Sequence, residues 1–526
     1  MKRIFHFITS RAGVTILLIL IEIGWLVSAV SVLGPYISWL ETALRIASIF
    51  IVLYIVAHSR HMSSDMMWVV TVLAFPVPGT IMYYVLNIMQ RVSSKTYRSI
   101  VTETEKAQWY YHQDPQVLKE AENQAPDLTR QFEYISGHAG FPVYRNRGFS
   151  YYSSGEEGWP VMLAEMKKAK RFIFLEYFII EEGVMWDAML DVLKEKAAEG
   201  VECRVLYDDL GSINTLPQKY TKELEKAGIF AEAFNRVNSL VNGIMNHRDH
   251  RKILVIDGLV AFSGGINLAD EYINVKEKYG YWKDNCFRVT GEAVWSFTVM
   301  FLTTWNALRH QDLDYRKYCA GGAVQPDSGD PERKYAGDEE QQERFDGWIA
   351  PYGETPLDSH LIGEGVYYNI LNEAQHYCYI ITPYLIIDED LTNALIFAAE
   401  QGVDVRILTP GIPDKRIVWN VTKSYYRNLI ENGVKIYEYT PGFVHSKIFV
   451  SDDRMATVGT INLDYRSLYL HFENGVFLYG SRKVAKVRDD FLQAQAESHQ
   501  ITAEDCYMNP VKRFIFSIFR IYAPLM

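Results

Sequence analysis

A five-residue pattern occurs twice in this chain, and no other feature restricts its fold as strongly. The first copy lies in DHRKILVIDGLVAFSGGIN, Asp249 to Asn267, and the second in VHSKIFVSDDRMATVGTIN, Val444 to Asn462. Each reads His-x-Lys, four apolar-leaning residues, Asp, six residues, then Gly-x-x-Asn. The residues are His250, Lys252, Asp257, Gly264 and Asn267, then His445, Lys447, Asp452, Gly459 and Asn462. A single His-x-Lys is most often a satisfied strand end. The same spacing repeated inside a wider duplication demands two similar folding units.

The wider duplication is legible on both sides of the motif. KKAKRFIFLEYFII (Lys167 to Ile180) matches EAQHYCYIITPYLII (Glu373 to Ile387), a charged helix end running into an aromatic and β-branched strand. AAEGVECRVLYDD (Ala197 to Asp209) matches AAEQGVDVRILTP (Ala398 to Pro410), where a helix stops at glycine and a strand follows. Strands alternating with helices predict α/β lobes with mixed or parallel sheets covered by helices. Gln311 to Thr355 is rich in Gly, Asp, Glu and Gln and reads as a solvated excursion between the lobes.

His and Lys two apart on a strand face the same side. The glycine permits a turn that returns Asn to the same site. Each half thus offers a nucleophile or proton carrier, a fixed cation and an amide donor. Two halves across one cleft suit a phosphoryl group whose oxygens spread negative charge. Two histidines suit a two-step displacement, one attacking phosphorus while the other handles the proton. The lysines supply the charge a metal would, so neither cofactor nor metal is expected. The five cysteines (Cys203, Cys286, Cys319, Cys378, Cys506) are scattered without C-x-x-C spacing and predict no zinc site. A net charge of −11 argues against a nucleic-acid partner.

The paired motifs resemble the His-Lys-Asp signature of the phospholipase D superfamily. GFPVYRN (Gly140 to Asn146), EYFII (Glu176 to Ile180), HRDHRKILVIDG, YGYWKDN (Tyr279 to Asn285), MFLTTW and the FPVPG run resemble bacterial cardiolipin synthases. The resemblance implies an α/β fold of two tandem phospholipase D-like lobes forming one pseudo-twofold cleft, preceded by an all-α transmembrane anchor. It implies that His250 and His445 are catalytic, with His250 as nucleophile, and that Lys252, Lys447, Asn267 and Asn462 hold the phosphate. Asp257 and Asp452 belong to the motif and are expected to hydrogen-bond within their own lobes. FENG (Phe472 to Gly475) aligns with WKDN (Trp282 to Asn285), which makes Glu473 and Asp284 candidates to orient a histidine ring. Glu473 is expected to serve the second copy and Asp284 the first, and a carboxylate beside His445 is expected to raise its pKa.

The implied activity is phosphatidyl transfer between two phosphatidylglycerol molecules, giving cardiolipin and glycerol. A hydrolase or a transferase with another alcohol acceptor has the same residues. A nuclease and a lipid-binding scaffold are further rivals. Phosphatidylglycerol and other anionic phospholipids are the expected partners, and the oligomeric state is left open.

The expected organisation is a transmembrane anchor over 1–90 and a first lobe over 130–310, with its motif at 245–272. A linker at 311–347, a second lobe at 348–505 with its motif at 440–467, and an amphipathic tail at 506–526 complete it. The anchor rests on apolar stretches at about 13–33, 37–57 and 66–86, close to the ~20 residues needed to span a bilayer. Glu22 and Arg45 interrupt the first two, leaving two or three spans open. A multi-pass bacterial cell-membrane protein is expected. Lys2, Arg3 and Arg11 favour a catalytic domain outside the cytoplasm, while Arg91, Lys95 and Arg98 pull the other way.

Overall fold

The computed structural model describes residue 24 and residues 38–59, 62–89, 94–236, 247–320, 345–358, 360–507 and 509–525. The chain divides into two compact units. One gathers Met1–Val92, Val237–His247 and Pro510–Met526; the other gathers Ser93–Arg236 and Arg248–Asn509.

In the smaller unit the expected 66–86 span is not one rod. Proline removes a helical donor and crowds the preceding turn. The chain accordingly divides into helices Met62–Ala74 and Pro76–Met89, of 13 and 14 residues. Gly79 lies so close that a Cβ there would stand 2.5 Å from the Thr71 carbonyl oxygen. The 37–57 stretch forms the 20-residue helix Ser38–Ala57. Its first turns carry Glu41 and Arg45, so the run free of charge from Ile46 to Ala57 covers only ~18 Å of the ~30 Å of hydrocarbon. Ile55, Met67, Trp68, Val72 and Met82 form its packed centre. Among the described residues no helix is long and apolar enough to cross a membrane. This corrects the expected transmembrane anchor, and with it the transmembrane part of the fold class and the multi-pass cell-membrane localisation. The expected first span, 13–33, lies outside the described residues apart from Gly24, as does most of the 311–347 linker.

The larger unit contains two sheets with the same internal order. The first has seven strands: Phe149–Tyr152, Cys286–Thr290, Val260–Gly264, Lys252–Ile256, Phe172–Tyr177, Glu202–Asp208 and Phe230–Phe234. The last three are mutually parallel and the rest antiparallel. In the second sheet Trp348–Glu354, His471–Tyr479, Met455–Gly459, Ile448–Ser451, Tyr377–Ile381, Asp404–Pro410 and Lys435–Tyr439 follow one another in the same way, with Tyr144–Arg145 and Ser498–Ile501 at the edges.

Both faces of the first sheet are covered, which is why its strands read as nearly continuous apolar runs. Ile173, Leu175, Val205 and Leu254 join Trp186, Met189 and Leu193 in one core. On the opposite face Phe174 stacks on Phe301 of the helix Val294–Arg309, with ring centroids 4.7 Å apart. Alternation along the strand thus divides Ile173 and Leu175 from Phe172 and Phe174.

The motif glycines sit where two strands touch. A Cβ on Gly264 would lie 2.6 Å from the Asn285 carbonyl oxygen, and one on Gly459 would lie 2.4 Å from that of Asn474. The motif aspartates occupy the hairpin turns that follow the His-x-Lys strands, at φ of 56° (Asp257) and 54° (Asp452). Asp257 accepts backbone N–H bonds from Lys170, Arg171 and Phe172, each 2.8 Å. Asp452 does the same for Gln375, His376 and Tyr377 at 2.7–2.9 Å. Each aspartate therefore pins the start of its own lobe's first central strand.

Candidate active site

The two His-x-Lys segments are brought together by short ladders that cross between the repeats. Arg248–Asp249, just before His250, pairs in parallel with His471–Phe472. Gly442–Val444, just before His445, pairs in parallel with Tyr281–Lys283. The His250 N–H donates to the Phe472 carbonyl at 2.9 Å, and the His445 N–H donates to that of Lys283 at 2.7 Å.

This crossing decides which carboxylate meets which ring. Glu473 follows Phe472 and lies against His250, with both carboxylate oxygens 2.9 Å from Nδ1. Asp284 follows Lys283 and lies against His445, its Oδ2 2.7 Å from Nδ1. The expectation that each carboxylate serves its own repeat is therefore corrected: the two are exchanged. An ionised carboxylate beside Nδ1 favours the tautomer with the proton there, leaving the Nε2 lone pair available. Glu473 is held in turn by the Thr460 hydroxyl at 2.5 Å, and Asp284 by the Asn285 N–H at 2.8 Å.

The lysines are buried beside the rings. Lys252 Nζ donates to the His250 carbonyl at 2.6 Å. Lys447 Nζ donates to the His445 carbonyl and lies 2.9 Å from His445 Nδ1. Both rings are 7% exposed, Lys252 is 0% and Lys447 2% exposed, so charge in this site is costly and interacts strongly. Burial pushes the His445 pKa down to about 4; Lys447 adds to this, and the opposing pull of Asp284 does not cancel it. The expected rise is thus reversed. Burial, followed by Lys252 and Lys447, holds His250 well below its ordinary range. Burial also lowers Lys252 to about 7 and Lys447 to about 8. Burial alone would raise Asp284, but His445 and Lys447 outweigh it and hold the carboxyl low. At neutral pH the site holds two neutral imidazoles, each with its Nδ1 on a carboxylate, beside lysines close to giving up a proton.

The asparagines are less symmetric. Asn267 accepts the Ile179 N–H at 3.1 Å and donates to the Tyr272 hydroxyl at 2.8 Å, so most of its amide is engaged in its own lobe. Asn462 is buried at 5% exposure. Asp257 and Asp452 stand at the far ends of their strands, where their carboxylates hold the N–H groups already described.

The walls differ too. His445 is surrounded by Tyr272, Trp282 and Phe443, with ring centroids 5.5, 5.5 and 5.9 Å away. His250 meets Phe178 at 4.9 Å and His471 at 5.6 Å. Tyr384 donates to Asp414 at 2.6 Å, whereas Tyr177 lies in the apolar core.

Two neighbours of the site have no counterpart among the expected residues. Lys415 adds a cation that acts on His250 from the segment after Gly411. His471 stands beside the His250–Glu473 pair. HFE, with His and Glu two apart on a strand, is the signal that was available for it. Among the described residues, His250, His471 and Glu473 form a cluster with the spacing to hold a metal ion.

Against known proteins, the family model described as "Cardiolipin synthase, PLD-like domain" matches residues 162–284 and 367–494. An uncharacterized protein of Streptococcus mutans is 40% identical over 90% of this chain and 99% of its own length. A cardiolipin synthase of Halalkalibacterium halodurans is 33% identical over 96% of this chain and 95% of its own length. One from Alkalihalophilus pseudofirmus is 31% identical over 93% and 95%. Among solved structures, a phosphatidylserine synthase of Haemophilus influenzae aligns with a TM-score of 0.51 at 14% identity, over 75% of this chain and 98% of its own, a likeness of fold alone.

Proposed function

The chain belongs to the phospholipase D-like cardiolipin synthase family, and from that premise we propose that it transfers a phosphatidyl group between two phosphatidylglycerol molecules through a phosphohistidine. The cardiolipin synthases among its relatives give the reaction class. The observation that carries the reading is the exchange of carboxylates, which gives each buried imidazole a fixed tautomer beside a lysine.

In the first half-reaction His250 Nε2 attacks phosphorus and the P–O bond to the headgroup glycerol breaks. The departing glycerol takes a proton from His445 Nε2. In the second, the hydroxyl of another phosphatidylglycerol gives its proton to His445 and attacks phosphorus, and the P–N bond breaks. Lys252 and Lys447, with Asn267 and Asn462 as amide donors, steady the charge on the phosphoryl oxygens. A neutral His250 is the form a nucleophile needs. His445 must instead gain a proton, and the phosphodiester supplies the condition: its negative charge offsets the Lys447 cation that opposes protonation. Glu473 and Asp284 are positioning residues that act through the rings.

The two lobes, over 130–310 and 348–505, are proposed to be the repeated halves of this machine. The tail helix Pro510–Ile521 exposes Val511, Phe514, Ile515 and Ile518 at helical spacing, which suits contact with lipid headgroups and acyl chains. The test is purified protein with labelled phosphatidylglycerol, beside His250→Ala. Cardiolipin and equimolar glycerol, lost in the variant, are expected. Phosphatidic acid as main product would replace the transferase with a hydrolase, and turnover retained in the variant would remove His250 from the chemistry.

A further inference from the structure

His471 is a buried imidazole to which the proposed chemistry gives no task. It precedes Glu473 by two residues on the strand His471–Tyr479, so both side chains leave the same face. Its Nδ1 lies 3.8 Å from Glu473 Oε1, beyond hydrogen-bond range. The residue is 7% exposed, and neither ring nitrogen finds a hydrogen-bond partner among the described residues. A buried polar group left in that condition is costly and marks a place where a ligand gains most.

One ligand atom from each of His250, His471 and Glu473 falls within 4.8 Å of the others. A tetrahedral ion with bonds of about 2.0–2.2 Å requires its ligand atoms to be roughly 3.3–3.5 Å apart. Rotation of the His471 ring, which breaks no hydrogen bond, provides much of that closure, and the 2.9 Å contact of His250 with Glu473 needs only to widen slightly. We propose that His250, His471 and Glu473 form a reversible, inhibitory binding site for a transition-metal dication of the Zn2+ class.

Two imidazoles and one carboxylate are a zinc donor set, whereas Mg2+ and Ca2+ favour oxygen ligands throughout. Lys252 and Lys447 repel a dication, so the ion must be held by imidazole bonding and stays exchangeable. On binding, the ion replaces the proton on His250 Nδ1, which is released to solvent, and takes the Glu473 oxygen that had accepted it. Metal at Nδ1 draws electron density from the ring and weakens Nε2 as a nucleophile. Inhibition rests on His250 being the nucleophile as proposed; binding does not.

The experiment is Co2+ titration of the metal-free full-length protein, read by the visible absorption of tetrahedral Co2+, with Zn2+ displacement and phosphatidylglycerol turnover in parallel. Wild type is expected to give a saturable band removed by Zn2+, and turnover lost to Zn2+ but not to Mg2+, then restored by a chelator. His471→Asn is expected to keep basal turnover, lose the band and need at least about tenfold more Zn2+ for equal inhibition. His471→Gln serves as a second replacement should the first not fold. His445→Asn, though inactive, is expected to keep the band, so failure of the transferase reading leaves this result standing. No band in wild type, or an unchanged band and Zn2+ sensitivity in both His471 variants, overturns the site.

Discussion

Replacing Asp257 separates a motif residue that builds the site from one that works in it. Its carboxylate, 6% exposed, accepts three N–H bonds of 2.8 Å, with Arg171 and Phe172 on Oδ1 and Lys170 on Oδ2. In Asp257→Asn the amide oxygen can keep the Arg171 and Phe172 bonds, but the new NH2 faces the Lys170 N–H. One charge-assisted bond is lost and two become neutral, about 2–3 kcal/mol of stability. Asp257→Ala loses all three and places alanine at φ 56°, a further ~1 kcal/mol. Lys170 and Arg171 lie at the surface, so water recovers part of this loss. We expect a total of about 3–5 kcal/mol, a large share of a typical 5–15 kcal/mol. Thermal unfolding followed by circular dichroism should rank wild type above Asp257→Asn and Asp257→Ala lowest, with turnover per folded molecule within about twofold of wild type. A normal melting midpoint with turnover down about 100-fold in Asp257→Asn would refute the structural role and place this carboxylate at the reacting groups.

Other consequences can be checked as directly. Glu473→Gln preserves shape but removes the charge holding the Nδ1 proton of His250; kcat should fall about 10²–10⁴-fold with an unchanged circular dichroism spectrum. Binding of inorganic phosphate at pH 8 should take up protons, because its charge raises Lys252 from about 7 and Lys447 from about 8. Calorimetry in two buffers of different ionisation enthalpy reads the number, and zero uptake would contradict the coupling. In acid, the unfolded chain protonates His445 near 6.5 while the folded one resists to about 4. Its contribution is complete above the unfolded value and declines as pH falls through that window, by on the order of 3 kcal/mol. Denaturation midpoints of His445→Asn should therefore depend less on pH between those limits.

The repeat carried much of the architecture because each motif residue has a local reason to be there. Gly264 and Gly459 are forced by neighbouring carbonyls, and Asp257 and Asp452 by three N–H donors each, so identical spacing implies identical hairpins. The alternation of strand and helix likewise follows from local periodicity. What escaped was whatever depends on contact between the halves. Glu473 and Asp284 align in sequence, yet only the crossing ladders at Arg248–Asp249 and Gly442–Val444 reveal that they trade histidines. The direction of the His445 shift was missed because burial and Lys447 together exceed one carboxylate, a balance of distances invisible in a linear motif. The apolar 66–86 run fitted a bilayer by length, but Pro76 and the close approach of Gly79 to Thr71 bend it into two short helices. His471 was hidden by standing beside a more conspicuous carboxylate.

The most direct test of the phosphohistidine route is rapid acid-free quenching during turnover of phosphatidylglycerol labelled in phosphorus, followed by peptide mapping. Label is expected on His250 in wild type and absent from His250→Ala; in His445→Ala, where the first step lacks its acid and the second its base, any label that forms is expected on His250 and to decay slowly. Label that survives in His250→Ala and vanishes in His445→Ala would reverse the two roles, and no labelled histidine while cardiolipin forms would contradict the covalent route.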